Sequence, residues 1–323
     1  MSDKTVYSRR NLAIDMLRAL TMFIMIFVND FWKVHDVPHW LEHAVYGEDF
    51  MGLADIVFPC FLFAVGMSIP YAIERRYAKG FSAESTLGHI LSRTFALLVM
   101  GAFITNSEFR LSPEAPYPIG VYWFLMAIGF IGVWNQYPKP APGTQKNLFR
   151  AFKIIGVLVL LYLAFTFRNP QGGVFGAYWG ILGSIGWTYL VCAVIYIFSR
   201  DRLQYLLPAW GAFILICLLG TPLREGFGGE AILAFPERNF YQDMLSILHI
   251  GNGALPAFTM GGVILSILSA RYAGKGDGWK LRNGLTVAVL LLLVGIGTHH
   301  FWIVAKMGGT PPWVFYVTAI SVG

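Results

Sequence analysis

The chain has 323 residues, of which 56% are hydrophobic and only 13% carry a charge. A soluble globular protein carries about 25% charged residues, so this composition excludes a cytosolic enzyme, a disordered chain and a nucleic-acid-binding protein. The net charge of +6 comes from 24 lysine and arginine residues against 18 acidic residues, and the basic residues cluster between long apolar runs. The positive excess therefore indicates the orientation of a protein in a lipid bilayer, not a surface for a polyanion.

Apolar stretches of about 20 residues, the length that crosses the hydrocarbon core as a helix, recur along the chain and predict an all-α, polytopic transmembrane helix bundle of about ten spans. The predicted spans cover about 11 to 31, 52 to 73, 86 to 106, 118 to 135, 149 to 167, 177 to 198, 203 to 220, 245 to 268, 283 to 304, and a tenth that begins near Trp313. The residues from Trp313 to Gly323 reach about half a bilayer as helix, so we expect a truncated C-terminus or a different fold there. Because no soluble domain is recognisable, we interpret 1 to 323 as a single transmembrane domain.

The lysine and arginine residues predict the orientation of this bundle. Alternate sides hold 17 and six of them, and Arg18 lies within the first span. Because cytoplasmic loops are enriched in these residues, the side with 17, which includes the N-terminus, is predicted to be cytoplasmic. The loops at 32 to 51 and 221 to 244 then face outward.

Ionisable residues at membrane depth are costly, and each is a functional hypothesis. Asp15 and Arg18 lie three residues apart on one helical face, where they either form a structural ion pair or present Arg18 to an anionic ligand from the cytoplasm. His249 precedes a segment, 251 to 256, whose glycines and proline suggest an interrupted helix that lines a cavity. The alternative for His249 is a hydrogen bond to a neighbouring helix.

Three histidines, His35, His39 and His43, occur at spacings of four, so a short helix would align them on one face. We predict no metal site, because no carboxylate is fixed as a further ligand and the three cysteines lie in apolar runs without metal-ligand spacing. A histidine here is either a general base or an exposed loop residue. His299 and His300, beside two aromatic residues, are assigned to the interfacial aromatic belt.

Asp55 lies in the first turn of the second span, where a carboxylate complements the helix dipole. Pro59, one turn later, removes a backbone hydrogen bond and is expected to kink the helix. The kink would open space beside Asp55 for a ligand or for a histidine from the preceding loop. Gly47 and Gly52 leave that loop free to fold back.

Four blocks in the first quarter of the chain carry a family resemblance. They are Ile14-Asp15-Met16-Leu17-Arg18, Met25-Ile26-Phe27-Val28-Asn29, Leu41-Glu42-His43-Ala44 and Ala54-Asp55-Ile56-Val57-Phe58-Pro59-Cys60-Phe61-Leu62-Phe63-Ala64-Val65-Gly66. Together they resemble the heparan-alpha-glucosaminide N-acetyltransferase family and its bacterial relatives, polytopic proteins that use acetyl-CoA on one side of a membrane to acetylate a sugar amine or hydroxyl on the other. Later similarity is thinner and covers Thr310 to Tyr316, with Lys306 nearby. The chain departs from the family at Ala19, where a glycine usually follows the Asp-x-x-Arg signature.

The resemblance implies roles for individual residues. The family's catalytic histidine falls on His43, and the asparagine that ends its first helix falls on Asn29. His43 would then act as base or acyl carrier, while Asn29 would donate a hydrogen bond to the oxyanion or fix the imidazole. Asp55 would hold the other ring nitrogen, as the orienting carboxylate does in hydrolytic triads.

We therefore expect a transmembrane acyltransferase of a bacterial inner membrane that moves acetyl from cytoplasmic acetyl-CoA to an amino sugar or other glycan acceptor on the outer face. The alternative is a secondary transporter of a small polar solute, with a polar site among broken helices. The residues predicted to contact acetyl-CoA are Arg18, Asp15, Arg93, His249 and Asn252, with Arg75, Arg76 and Arg271 as further candidates. The acceptor, the choice between a two-step and a ternary-complex route, and a homodimeric state are left open.

Overall fold

The computed structural model describes residues 11–31, 34–108, 111–137, 144–233 and 250–323. These residues form ten α-helices, and eight of the ten are long and apolar enough to cross a membrane. The helices are α1 Leu12–Asp30, α2 Leu53–Ala78, α3 Ala83–Glu108, α4 Ile119–Trp134, α5 Thr144–Thr166, α6 Gly180–Ser199, α7 Leu203–Gly220, α8 Ala254–Arg271, α9 Asp277–His299 and α10 Pro311–Val322. The chain is therefore an all-α, multi-pass membrane protein, as its composition predicts.

The predicted spans agree with the helices in number, and they differ mainly at the ends. α9 begins six residues before the predicted start at 283, because the prediction counted only the apolar part of the helix and Asp277, Lys280 and Arg282 precede it. In the described chain α8 begins at Ala254, after Gly251 and Gly253 adopt positive φ angles of 62° and 84°. A Cβ at Gly253 would lie 2.3 Å from the carbonyl oxygen of Phe213, so this break in the chain requires glycine.

The chain divides into two compact units. One comprises Met1–Ile90 with Trp187–Gly323, and the other comprises Leu91–Gly186. The first contains α1, α2 and α7 to α10, and the second contains α4 and α5. The interpretation of 1 to 323 as a single domain stays a prediction.

Within the first unit, α2 and α8 approach each other through glycines. A Cβ at Gly66 of α2 would lie 1.9 Å from the carbonyl oxygen of Thr259, and a Cβ at Gly262 of α8 would lie 2.0 Å from that of Phe63. Small residues allow two helix backbones to come this close, and close packing is a main source of helix association in a bilayer. The helix α2, whose first turn carries Asp55, is thereby held closely against α8.

Pro59 fixes the place of α10 on α2. A proline in a helix lacks the N–H that would bond the carbonyl oxygen four residues earlier, which here belongs to Asp55. The indole N–H of Trp313, at the start of α10, donates to that oxygen at 3.1 Å. Trp313 is buried and packs edge-on against Phe258 of α8, with ring centroids 5.0 Å apart. Pro59, which was predicted to open space beside Asp55, therefore leaves a carbonyl oxygen that binds Trp313 of α10.

In the second unit, α4 and α5 pack through Gly132 and Gly156, where a Cβ on Gly132 would lie 3.2 Å from the Cα of Gly156. A buried aromatic cluster lies beside this contact. Tyr122 within it donates its hydroxyl to the carbonyl oxygen of Phe103 at 3.1 Å, which satisfies a polar group that would otherwise be buried unpaired.

The close approach of α2 and α8 predicts a strong effect of a single methyl group. Gly262→Ala places a Cβ against the backbone of Phe63, and overpacking of this kind costs about 1 to 3 kcal/mol. We expect a lower midpoint in thermal unfolding of the detergent-solubilised protein. The control is Gly211→Ala on α7, where a Cβ meets nothing within 4 Å and should leave the midpoint unchanged or slightly raised. Equal midpoints for the two variants would contradict the packing argument.

Candidate functional site

A buried carboxylate lies at the centre of the candidate site. The side chain of Asp55, in the first turn of α2, is 1% exposed. Its Oδ2 accepts hydrogen bonds from the backbone N–H groups of Ala44 at 2.9 Å and Gly52 at 3.2 Å. Its Oδ1 lies 2.8 Å from Nδ1 of His43 and 3.7 Å from Nζ of Lys306. Both oxygens are thus partnered, as a carboxylate removed from water requires.

The loop at 34 to 52, here called the His43 loop, folds back onto α2 as the glycine spacing predicts. Gly47 adopts a positive φ of 84°, and the backbone N–H of Val45 donates to Oε2 of Glu48 at 2.8 Å. Gly52 lies so near the carbonyl oxygen of Glu42 that a Cβ would be 2.0 Å from it. This turn directs the imidazole of His43 inward, where its side chain is 18% exposed.

Lys306 completes the group from the segment 300–310, here called the lysine loop, which joins α9 to α10. Its Nζ lies 3.0 Å from Nδ1 of His43, and its side chain is 22% exposed. The lysine loop is closed on itself, since the backbone N–H of Ala305 donates to Oγ1 of Thr310 at 3.0 Å. The amine therefore reaches the imidazole from a part of the chain 263 residues away.

The position of Nδ1 restricts the protonation of this group. The same nitrogen faces Asp55 and Lys306, and it cannot donate a hydrogen bond to one while accepting from the other. When Nδ1 carries the proton and donates to Asp55, the lone pair of the neutral ring lies on Nε2, the arrangement that a general base needs. Burial lowers the pKa of the Lys306 amine, and the charge of Asp55 and the contact with it oppose that shift.

Asn29 lies in the last turn of α1. Its neighbour Val28 packs against Ala54 and Val57, which places the end of α1 beside the first turn of α2. The Asn29 side chain is exposed, and among the described residues it forms no hydrogen bond with the imidazole. Its role at the oxyanion stays a prediction.

Asp15 and Arg18 lie near the opposite end of α1. Both side chains are partly buried, but the described residues contain no ion pair between them. Nε of Arg18 is buried without a hydrogen-bond partner in the described chain. A guanidinium nitrogen in this state favours the alternative in which Arg18 faces an anion.

The remaining residues predicted to contact acetyl-CoA are Arg93, His249 and Asn252. Arg93 is exposed on α3, in the second compact unit, and His249 lies outside the described residues. Asn252 instead supports the lysine loop, since its amide nitrogen donates to the carbonyl oxygens of Gly308 and Gly309, each at 2.9 Å. A contact of Asn252 with acetyl-CoA stays a prediction, but its amide is already used within the chain.

The predicted helix that would align three histidines is wrong. Only His39–Leu41 forms a helical turn, of the 3₁₀ type, and the chain is extended at Glu42. Nε2 of His39 lies 2.8 Å from Oε1 of Glu48, whereas Nδ1 of His43 lies 2.8 Å from Oδ1 of Asp55. The two imidazoles therefore contact different carboxylates. In the described chain, no three metal-ligating side chains are grouped so that they could hold an ion.

The assignment of His299 to an aromatic belt is also incomplete. Its Nε2 lies 2.8 Å from Oδ1 of Asp49, so the ring is held by a carboxylate at the same end of the bundle as His43. Asp49, His299 and Lys306 are the residues that the sequence did not single out for the site. The available signal for Lys306 was its isolation as a cation among apolar and glycine residues immediately before an apolar helix.

These features define a class of protein, a multi-pass helical membrane protein in which a buried carboxylate, an imidazole and an amine meet at one end of the bundle. Residues 10–121 match a family model described as heparan-alpha-glucosaminide N-acetyltransferase, catalytic, and this range contains His43 and Asp55. Heparan-alpha-glucosaminide N-acetyltransferases of Mus musculus and Homo sapiens are 28% and 27% identical to the chain over 195 residues. Each match takes in 54% of this chain and 28% of the relative, so the chain spans under a third of the length of these relatives. The resemblance to this family is thereby confirmed.

The pKa of Lys306 is open to direct measurement. Burial should hold the pKa of its amine below the ordinary value of about 10.4 for lysine, and Asp55→Asn should lower it further by removing the negative charge that favours the ammonium form. The measurement is the pH dependence of amine labelling at Lys306, followed by mass spectrometry. Asn keeps an oxygen for the N–H groups of Ala44 and Gly52, so the loop can stay folded. A midpoint that rises in Asp55→Asn would contradict the assigned charge pairing.

Proposed function

We propose that the protein is a membrane-embedded acetyltransferase that takes acetyl from cytoplasmic acetyl-CoA and transfers it to an amine or hydroxyl of a sugar in an envelope glycan. The proposal places it in a bacterial inner membrane with the His43 end facing outward, in keeping with the distribution of basic residues. The observation that carries the proposal is the 2.8 Å contact between His43 and the buried Asp55. The names of the matched family and of the two relatives support the reaction class.

The geometry of the pair suits acyl transfer. Asp55 holds Nδ1, so Nε2 is the ring nitrogen that would meet a substrate. In a direct transfer, Nε2 accepts the proton of the acceptor while the acceptor's nitrogen or oxygen bonds to the thioester carbon and the CoA thiolate leaves. In a two-step transfer, Nε2 itself bonds to that carbon, and the acceptor later displaces the imidazole. In both routes the ring becomes positive, and the Asp55 carboxylate stabilises that charge.

Lys306 acts on the opposite side of the ring from the substrate. Its amine faces Nδ1 and Asp55, so it is not placed to donate to the thioester oxygen through that contact. Its charge instead offsets that of Asp55 when the imidazole is neutral. The amine thereby keeps the buried carboxylate partnered before the imidazole gains a proton.

Arg18 is the best-supported contact for the CoA phosphates. The other basic candidates of the same compact unit are engaged within the chain, since Arg76 stacks over Phe81 at 4.4 Å and Arg271 donates to the carbonyl oxygen of Asp201 at 3.2 Å. Arg18 retains a buried Nε without a hydrogen-bond partner among the described residues. A phosphate would satisfy that nitrogen through a charge-assisted hydrogen bond.

The role of His43 is tested by substitution. We expect His43→Gln to reduce acetyl transfer from radiolabelled acetyl-CoA to an amino-sugar acceptor by about 10²- to 10⁴-fold, the usual contribution of a general base, or to abolish it if the imidazole carries the acyl group. The matched control is His39→Gln, which alters a histidine of the same loop that pairs with Glu48 and should keep most of the activity.

Two further results separate the alternatives. Labelled acetyl retained on the purified protein without acceptor, and lost in His43→Gln, would identify the two-step route. Transfer that survives His43→Gln would remove this residue from its assigned role. A protein that binds no acetyl-CoA would favour the transporter instead.

A second prediction concerns the donor. Arg18→Gln should raise the KM for acetyl-CoA by about tenfold while changing kcat little, because a contact with the CoA phosphates contributes equally to the ground state and the transition state. Arg76→Gln is the control at the same end of the bundle. Steady-state kinetics over a range of acetyl-CoA concentrations provide both values, and a loss in kcat alone would place Arg18 elsewhere in the mechanism.

A further inference from the structure

A second carboxylate, Asp49, connects the His43 loop to the lysine loop. Oδ1 of Asp49 accepts from the backbone N–H of Val304 at 2.7 Å and lies 2.8 Å from Nε2 of His299. Oδ2 accepts from Nη2 of Arg224 at 2.5 Å. Asp49 therefore binds one backbone group and two side chains, and all three donors come from parts of the chain distant in sequence.

The connection to Lys306 runs through the backbone. The N–H of Phe50 donates to the carbonyl oxygen of Val304 at 3.0 Å, so Val304 is held to the His43 loop by both its N–H and its C=O. Val304 is two residues before Lys306, and the closed turn between Ala305 and Thr310 allows little freedom between them. The backbone from which the Lys306 side chain extends towards His43 is thus attached to Asp49 and Phe50 through Val304.

Two other elements brace the same carboxylate. Arg224, in the segment after α7, also donates to the carbonyl oxygen of His299 at 3.2 Å, and its backbone N–H donates to that of Phe301 at 2.8 Å. Nδ1 of His299 lies 3.3 Å from the hydroxyl of Tyr316 on α10. Partial burial opposes ionisation of Asp49, but the hydrogen bonds of Val304 and His299 and the nearby positive charges outweigh it and lower its pKa, so the carboxylate is charged near neutral pH.

We propose that Asp49 is a positioning residue for acyl transfer, which fixes the lysine loop against the His43 loop and so sets the distance from Lys306 to the His43–Asp55 pair. The inference rests on the proposed function for its catalytic consequence. The hydrogen-bond partners of Asp49 in the described chain are Val304, His299 and Arg224, so it acts on Lys306 through the backbone of Val304.

Glu48 offers a matched control for Asp49. It is the adjacent residue and also a carboxylate, with hydrogen bonds to the N–H of Val45 and to His39, both within the His43 loop. Glu48→Gln therefore removes a neighbouring negative charge without touching the lysine loop. Any effect specific to Asp49→Asn cannot then be assigned to the loss of one charge at this end of the bundle.

The first experiment needs no substrate. Lys306 in the full-length protein is labelled with an amine reagent at a fixed pH, and the rate is followed by mass spectrometry. We expect labelling to be about tenfold faster in Asp49→Asn, because the loss of charge-assisted hydrogen bonds releases the lysine loop, and unchanged in Glu48→Gln. Equal rates in the wild type and Asp49→Asn would overturn the proposal.

The second experiment joins Asp49 to the reaction by a double-mutant cycle. Asp49→Asn should lower kcat by about ten- to a hundredfold with little change in the KM for acetyl-CoA, as expected for a misplaced catalytic group. In a Lys306→Gln background, Asp49→Asn should cause little further loss, because its effect passes through Lys306. Losses that multiply in the double variant would show that Asp49 acts elsewhere, and would overturn the proposal.

A variant that fails to fold does not end the test. His299→Phe keeps a ring beside Tyr316 but removes the nitrogen that faces Asp49, and it should accelerate labelling in the same direction as Asp49→Asn, by a smaller factor. Unchanged labelling in His299→Phe and Arg224→Gln together would count against the proposal. A wild type that transfers no acetyl group removes the proposed function, whereas the labelling comparison still decides whether Asp49 holds Lys306.

Discussion

The burial of one carboxylate imposes the arrangement of the candidate site. Removing a charged group from water costs several kcal/mol unless partners replace the lost hydration, and the 1% exposure of Asp55 leaves no room for water to do so. Two partners are backbone N–H groups from the preceding loop, which explains why that loop folds back tightly and why Gly52 has no space for a Cβ. The other two are His43 and Lys306, whose roles belong to the proposed reaction.

Asp49 and Asp55, the two carboxylates at the ends of the segment 49–55, have different partners. Asp55 is buried and binds the groups that take part in the proposed reaction, whereas Asp49 is partly exposed and binds groups that fix the surrounding loops. Each carboxylate accepts a hydrogen bond from a backbone N–H and lies within 2.8 Å of an imidazole nitrogen. Similar contacts thus surround two carboxylates with different proposed roles. A carboxylate–histidine pair is therefore not sufficient evidence of a catalytic role; the two pairs differ in the burial of the carboxylate side chain, which is 1% exposed in Asp55 and 33% exposed in Asp49.

Much of the fold follows from the sequence, because a helix that crosses a bilayer must be apolar over a length that hydropathy reveals. The proximity of Asp55 and His43 could also be predicted from the sequence, because a glycine-containing loop of modest length joins them. Lys306 was indicated only by the thin resemblance of the segment after it to the family, because no local pattern shows which of six cations on the predicted outer side returns to a carboxylate 251 residues earlier. The expected helix with His35, His39 and His43 on one face is absent from the described chain, because a spacing of four aligns side chains only where the segment is helical. In the structure, His39 and His43 instead contact different carboxylates, those of Glu48 and Asp55.

The hydrogen bond from Trp313 to the carbonyl oxygen that Pro59 leaves vacant has a consequence for biosynthesis. Asp55 is translated 258 residues before Trp313, so α2 is synthesised before the donor to its carbonyl oxygen exists. The hydrogen bond forms when α10 docks against α2. Assembly around the first turn of α2 is thereby coupled to the arrival of α10.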